Sequence, residues 1–162
     1  MFEYKTWADN RTIDAVQKIP IPQTTESNFA RQQLNHMIIV EELFRSRISR
    51  EQDCHNVTNT KELPALSCLK QRLMSSNEWY LDFLTQCVDL DEKIYFTFVD
   101  GKPGCLSIDE ILFHVINHGS YHRGNIAHAL DNAGVPHPVD GYPKFIHETQ
   151  KSRRQKRWDK WI

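Results

Sequence analysis

No stretch of this chain approaches the roughly 18 consecutive apolar residues that a membrane-spanning helix needs. The opening residues, MFEYKTWADN, mix charge with aromatics and lack the apolar run of a secretory leader. The four cysteines, Cys54, Cys68, Cys87 and Cys105, include no CxxC pair. That excludes a zinc knuckle and a dithiol redox motif. Internal repeats and low-complexity tracts are also missing. Together these absences predict a cytoplasmic protein with no membrane contact, whose thiols are reduced and buried or half-buried.

What remains is the composition of an ordinary globular domain. The 162 residues are 40% hydrophobic and include eight Phe, four Trp and five Tyr, enough for a sizeable core and against disorder. The net charge is -1, but it is unevenly spread. The last twelve residues, KSRRQKRWDKWI, carry six Lys or Arg and one Asp, leaving 14 basic and 20 acidic groups elsewhere. The chain therefore divides into a domain over 1–150 and a basic tail over 151–162. A basic tail can touch nucleic acid or an anionic surface. The simpler reading is a solvated terminal helix whose Trp158 and Trp161 pack on the body or on a second subunit, so nucleic acid is not the expected partner.

Helical periodicity dominates. Tyr4, Trp7, Ala8, Ala15 and Ile19 recur at three- and four-residue steps and mark a first buried face, stopped by Pro20 and Pro22. Thr24, Thr25 and Ser27 offer cap hydroxyls for a second helix, with Phe29, Val40, Leu43 and Phe44 on its inner side. Residues 51–63 have no period and read as a long loop. Pro64 suits the first turn of a third helix, whose buried stripe is Leu66, Leu69, Leu73, Tyr80 and Leu84. After Val88 the aromatic and β-branched run Tyr95–Val99, followed by DGKPG, predicts a short β-hairpin across Tyr95–Leu106. Ser107 and Glu110 form a capping box that opens a fourth helix, and Gly134 and Pro136 close it. An all-α four-helix bundle with a short β-hairpin before the last helix buries four such faces.

Eight histidines are present, and their placement carries the chemistry. Along SIDEILFHVINHGSYHRGNIAHAL, about 100° of turn per residue puts Ile108, Leu112, Val115, Gly119, Ile126 and Leu130 on one face. His122 lies within that face and His118 at its edge, one turn apart, so both imidazoles can converge on one point. His114 lies further round and His128 points away; His55, His137 and His147 fall in loops or near the tail and read as solvated. His36 shares the inner face of the second helix and is the best third ligand. A lone inward histidine is usually a core residue bonded to a neighbour. Three inward imidazoles are costly to bury unless their nitrogens find partners, and a divalent metal satisfies all three. Metal ligation and hydrogen-bonded core histidines both remain open on the residues alone.

At this point the chain resembles the DinB family, within the DinB and thiol-S-transferase-like superfamily of four-helix metalloproteins. HVINHGSYHRGNI, residues 114–126, is similar to the family's fourth-helix signature, and His36 within QQLNHMIIVEELF stands at the position of its second-helix ligand. Trp7-Ala8 and Asn10-Arg11 are similar to its first-helix pattern, with Asp9 where Asn is expected. The resemblance runs from residue 1 to about 142 and omits the tail. It implies His36, His118 and His122 as ligands of one divalent ion, zinc by default and nickel or iron as alternatives. Family members include metal-dependent enzymes that use low-molecular-weight thiols, and many are known only as stress- or damage-inducible proteins.

The resemblance therefore implies a thiol S-transferase acting on a small-molecule electrophile, working as a homodimer. Trp7, Asn10 and Arg123 are candidate substrate contacts, although Arg123 also suits a pair with a neighbouring acid, and Gly124 suits close helix packing. The alternatives are a small metallohydrolase and a non-catalytic metal-binding dimeric protein. For the first the sequence identifies no general base, since Glu41 and Glu42 follow His36 too closely to fix their direction.

Overall fold

The computed structural model describes residues 1–20, 24–87 and 89–154. Pro22, Val88, Trp158 and Trp161, used in the sequence reading, lie outside the described residues. Four long helices form the bundle: α1 (Phe2–Val16), α2 (Thr24–Ile48), α3 (Leu66–Gln86) and α4 (Ile108–Asn132). Helix α2 packs on α3 and α4, and α1 packs on the same two, so α1 and α2 sit on opposite corners. Strands β1 (Lys93–Thr97) and β2 (Pro103–Ser107) pair antiparallel, with Tyr95 opposite Cys105.

The ends of α4 follow from local chemistry. Ser107 Oγ accepts from the Glu110 amide at 3.2 Å, and Glu110 Oε2 accepts from the Ser107 amide at 2.7 Å. This is the reciprocal capping box. At the other end Gly134 adopts φ +70°. The Gly134 amide donates to Asp131 O and the Val135 amide to Leu130 O, closing a Schellman turn that satisfies the last carbonyls.

Two apolar clusters fill the bundle. One gathers Ile13, Leu34, Met37, Ile38, Leu69, Leu73, Ile126 and Leu130. The other gathers Phe2, Phe44, Tyr80, Ile108, Ile111, Leu112 and Val115 and reaches Ile94 on the hairpin. On every helix a polar residue falls between the two: Lys5 and Asp9, Glu41, Asn77, Arg123. That polar layer holds the chemistry described below.

Several expectations need correction. Helix α2 begins at Thr24, so Thr25 and Ser27 lie inside its first turn rather than at its cap. Helix α3 begins at Leu66, which leaves Pro64 just before it. Phe29 and Leu84 are exposed, since both lie near helix ends where the neighbouring helix no longer covers them. Cys54, Cys68 and Cys105 are exposed and Cys87 half-buried, because three of them sit in a loop, on the outer side of α3 and on an edge strand. Gly124 faces outward with nothing within 4 Å of where a Cβ would stand, so no helix packs against it. The chain after α4 is also structured: α5 (Tyr142–Thr149) packs Phe145 and Ile146 against Tyr4, Trp7 and Ala8 of α1. A 3-10 turn follows at Lys151–Arg154.

Candidate metal centre

The structure brings His36 of α2 and His118 and His122 of α4 together. Their candidate ligand atoms all lie within 4.8 Å of one another. His118 Nε2 is 3.1 Å from His36 Nε2 and 3.0 Å from His122 Nε2. The helical spacing explains the second contact, and the close packing of α2 on α4 explains the first.

The outer nitrogens of His36 and His122 fix the tautomers of those two rings. His36 Nδ1 is 2.8 Å from the carbonyl oxygen of Thr58, which can only accept, so His36 carries its hydrogen on Nδ1. His122 Nδ1 is 2.6 Å from Gln33 Oε1. That oxygen also accepts from Asn125 Nδ2 at 3.1 Å, so it is an acceptor toward His122 as well. Both Nε2 lone pairs are therefore bare and aimed at His118 Nε2. A single hydrogen there would have to serve two acceptors, whereas a cation satisfies all three nitrogens.

The separations fit such an ion. Zinc–nitrogen bonds of about 2.05 Å at a tetrahedral angle place two nitrogens about 3.3 Å apart. Burial and the neighbouring imidazoles of His122, His36 and His114 push the pKa of His118 down to about 3. Burial and His36 push that of His122 down to about 4. At neutral pH both rings are uncharged and have lone pairs to give. The donor set fits a divalent, imidazole-accepting metal, with outer hydrogen bonds of the kind that orient histidine ligands.

His114 lies beside the cluster. Its ring stacks on His118 with centroids 5.2 Å apart and an interplanar angle of 24°. Among the remaining histidines, His55 bonds Glu42 Oε2 at 2.6 Å and His137 bonds Asp131 Oδ1 at 2.6 Å. Half-buried His55 is thus paired where solvation was expected, because the 51–63 loop folds back onto α2.

The candidate substrate contacts are placed elsewhere. Trp7 packs edge-on against Phe145 at 5.7 Å, with the Arg11 guanidinium 4.2 Å from its ring. Asn10 is half-buried on α1. Arg123 is 3% exposed and holds Asp9 Oδ1 and Asp140 Oδ2, each at 2.8 Å. Its reach into the bundle makes it an ion-pair partner rather than a solvent-facing anchor.

Arg123 opens onto a feature that the sequence reading missed. Lys5 Nζ is fully buried and contacts Asp9 Oδ2 at 2.7 Å, Asn77 Oδ1 at 2.7 Å and Glu41 Oε1 at 2.8 Å. Burial would raise the Asp9 pKa, but Lys5 and Arg123 outweigh it and hold the carboxyl below its usual range. Burial pushes Glu41 up, and the adjacent Asp9 adds to this against the pull of Lys5. The only local signal was Lys5 and Asp9 one turn apart on an otherwise inward face of α1.

The DinB family model matches residues 1–157, so the match continues past residue 142 and takes in α5. The protein DinB of Bacillus subtilis (strain 168) is 27% identical over 168 residues, spanning 94% of this chain and 96% of that protein. No solved structure gives a significant match.

Proposed function

This chain belongs to the DinB family, and from that premise we propose that it is a metal-dependent enzyme transferring a low-molecular-weight thiol to small electrophiles. The observation that carries the reading is the convergence of three Nε2 atoms, with the Nδ1 atoms of His36 and His122 already bonded. His36, His118 and His122 would hold the ion, and zinc, nickel and ferrous iron all accept imidazole. A divalent ion with three protein ligands and open positions supplies Lewis acidity that lowers the pKa of a thiol toward neutrality. Imidazole ligands bring no negative charge, so a thiolate would meet no competing protein anion among them.

Thr58 and Gln33 keep the rings in the tautomer that presents Nε2 inward. In the transfer, the thiol proton leaves to solvent and sulfur forms a bond to an electrophilic carbon. The bond from that carbon to its leaving group breaks, and the electron pair departs with that group. No protein base is needed at the site. This matters because the acids nearest in sequence are committed elsewhere: Glu41 to Lys5 and Ser76, Glu42 to Arg72 and His55. A hydrolase would need one of them free to activate water.

The test is a conjugation assay with monochlorobimane and glutathione, coenzyme A or cysteine, using zinc-, nickel- and iron-loaded protein. The reading expects a rate above the uncatalysed reaction with at least one combination, lost in the His118→Ala, His122→Ala double variant. Rates equal to background with every pair would count against transfer.

A further inference from the structure

Between the hairpin and the α2–α4 seam lies a cavity of about 320 Å³. Its walls are Val40, Leu43 and Phe44 of α2 and Leu106 of β2, and its rim is Phe98 and Val99 at the hairpin tip. Two lining residues also belong to the surroundings of the imidazole cluster. Thr58, whose carbonyl fixes His36, borders the cavity, as does His114, which stacks on His118. The cavity and the candidate metal centre are therefore neighbours that share a wall.

We infer that this cavity seats the uncharged, apolar body of the small molecule that reacts at the metal centre, an alkyl or aryl group rather than an anion. The inference rests on the reading of the three histidines as that centre. The charge arrangement supports the choice. Arg47 is the cation in the lining, yet its Nε and Nη2 are bonded to Asp53 and its Nη2 also to the Thr97 carbonyl. Its guanidinium carbon lies 4.4 Å from the Phe96 ring centroid and 5.4 Å from that of Phe44. Its charge is already matched by the Asp53 carboxylate, and only its Nη1 edge is left to meet a ligand. An anionic ligand body would lose its water against a cation whose charge Asp53 already balances, whereas an apolar one gains by leaving water. The volume also falls within the range of small-molecule sites.

Gly104 sets the rim. A Cβ there would stand 2.7 Å from the Phe96 ring and 2.8 Å from the Phe98 ring, so only glycine lets Phe98 fold over the strand.

The probe is N-phenyl-1-naphthylamine, an uncharged fluorophore that brightens in apolar sites, titrated into zinc-loaded full-length protein. We expect saturable binding at about one probe per chain, weakened about tenfold or more by Val99→Asp, which puts a carboxylate in the rim. Val99 is half-exposed in a turn, so this variant keeps the fold, and its zinc content is expected to match the parent. Phe113→Ser, which removes an exposed phenyl on the outer side of α4, should leave probe binding unchanged. Replacing zinc with cobalt should quench the bound probe, because the two sites adjoin.

Probe binding that survives Val99→Asp, that is lost with Phe113→Ser, or that ignores cobalt in place of zinc would overturn the assignment. Absence of probe binding in zinc-loaded protein would overturn the cavity's role and leave the metal centre standing. Probe binding to a parent that retains no metal would remove the centre itself, and with it the cavity's assignment to that centre's ligand.

Discussion

Asp9 is the residue whose replacement should cost this fold most for its size. It is fully buried, and its two oxygens serve three donors: Oδ2 takes Lys5 Nζ and Asn77 Nδ2, and Oδ1 takes an Arg123 Nη1 hydrogen. Asp9→Ala leaves Lys5 with Glu41, and Arg123 with Asp140, as the one carboxylate partner among the described residues, both cations still inside the bundle. Breaking a buried ion pair from one side costs about 3–5 kcal/mol, a large part of a small domain's stability of roughly 5–15 kcal/mol. Asp9→Asn keeps the shape, but an amide accepts at only one end. Either Lys5 or Arg123 then faces an NH2 group, and the loss should be smaller, about 1–3 kcal/mol.

The assay is urea unfolding of the zinc-loaded protein followed by circular dichroism, with the midpoint read at unchanged m. The order expected is parent, then Asp9→Asn, then Asp9→Ala. Asp9→Ala within about 1 kcal/mol of the parent, or Asp9→Asn as stable as the parent, would refute the claim that the layer depends on this carboxylate.

Three further outcomes follow from the geometry. Gln33→Leu removes the acceptor that orients His122 and should weaken zinc affinity by about 10- to 100-fold in a competitive chelator titration, with the fold intact. In metal-free protein, His118 and His122 protonate only near pH 3 and 4 when folded, but near their ordinary value of about 6.5 when unfolded. The unfolded chain thus binds more protons below about pH 6.5, so stability is full above that pH and falls progressively toward pH 4. Urea midpoints at pH 7.5, 6 and 5 should show this decline, and the His118→Ala, His122→Ala variant should flatten it. Ser107→Ala removes one half of the α4 capping box and should cost about 1 kcal/mol in the same unfolding experiment.

The parts of this molecule that were legible in sequence are those set by nearby residues. The capping box at Ser107 and Glu110, the turn at Gly134 and the convergence of His118 with His122 each depend on fewer than two helical turns. The hairpin was legible for the same reason, within two residues at each strand. His36 could be placed on an inward face, but its meeting with His118 needed α2 to pack on α4. Thr58 and Gln33 gave no signal, because one acts through a backbone carbonyl in an aperiodic loop and the other is an ordinary polar helix residue. The Lys5, Asp9, Glu41, Asn77 and Arg123 layer is assembled from all four long helices, so no single segment revealed that these charges face inward. Helix α5 is eight residues long, too short for periodicity to announce it.

The most direct measurement is the metal content of the purified protein by elemental analysis, beside the His118→Ala, His122→Ala double variant. About one divalent ion per chain is expected in the parent, held by the three converging imidazoles, and none in the variant. No metal in either protein, even after zinc, nickel and ferrous iron have been supplied, would contradict it, and the three histidines would then be hydrogen-bonded core residues.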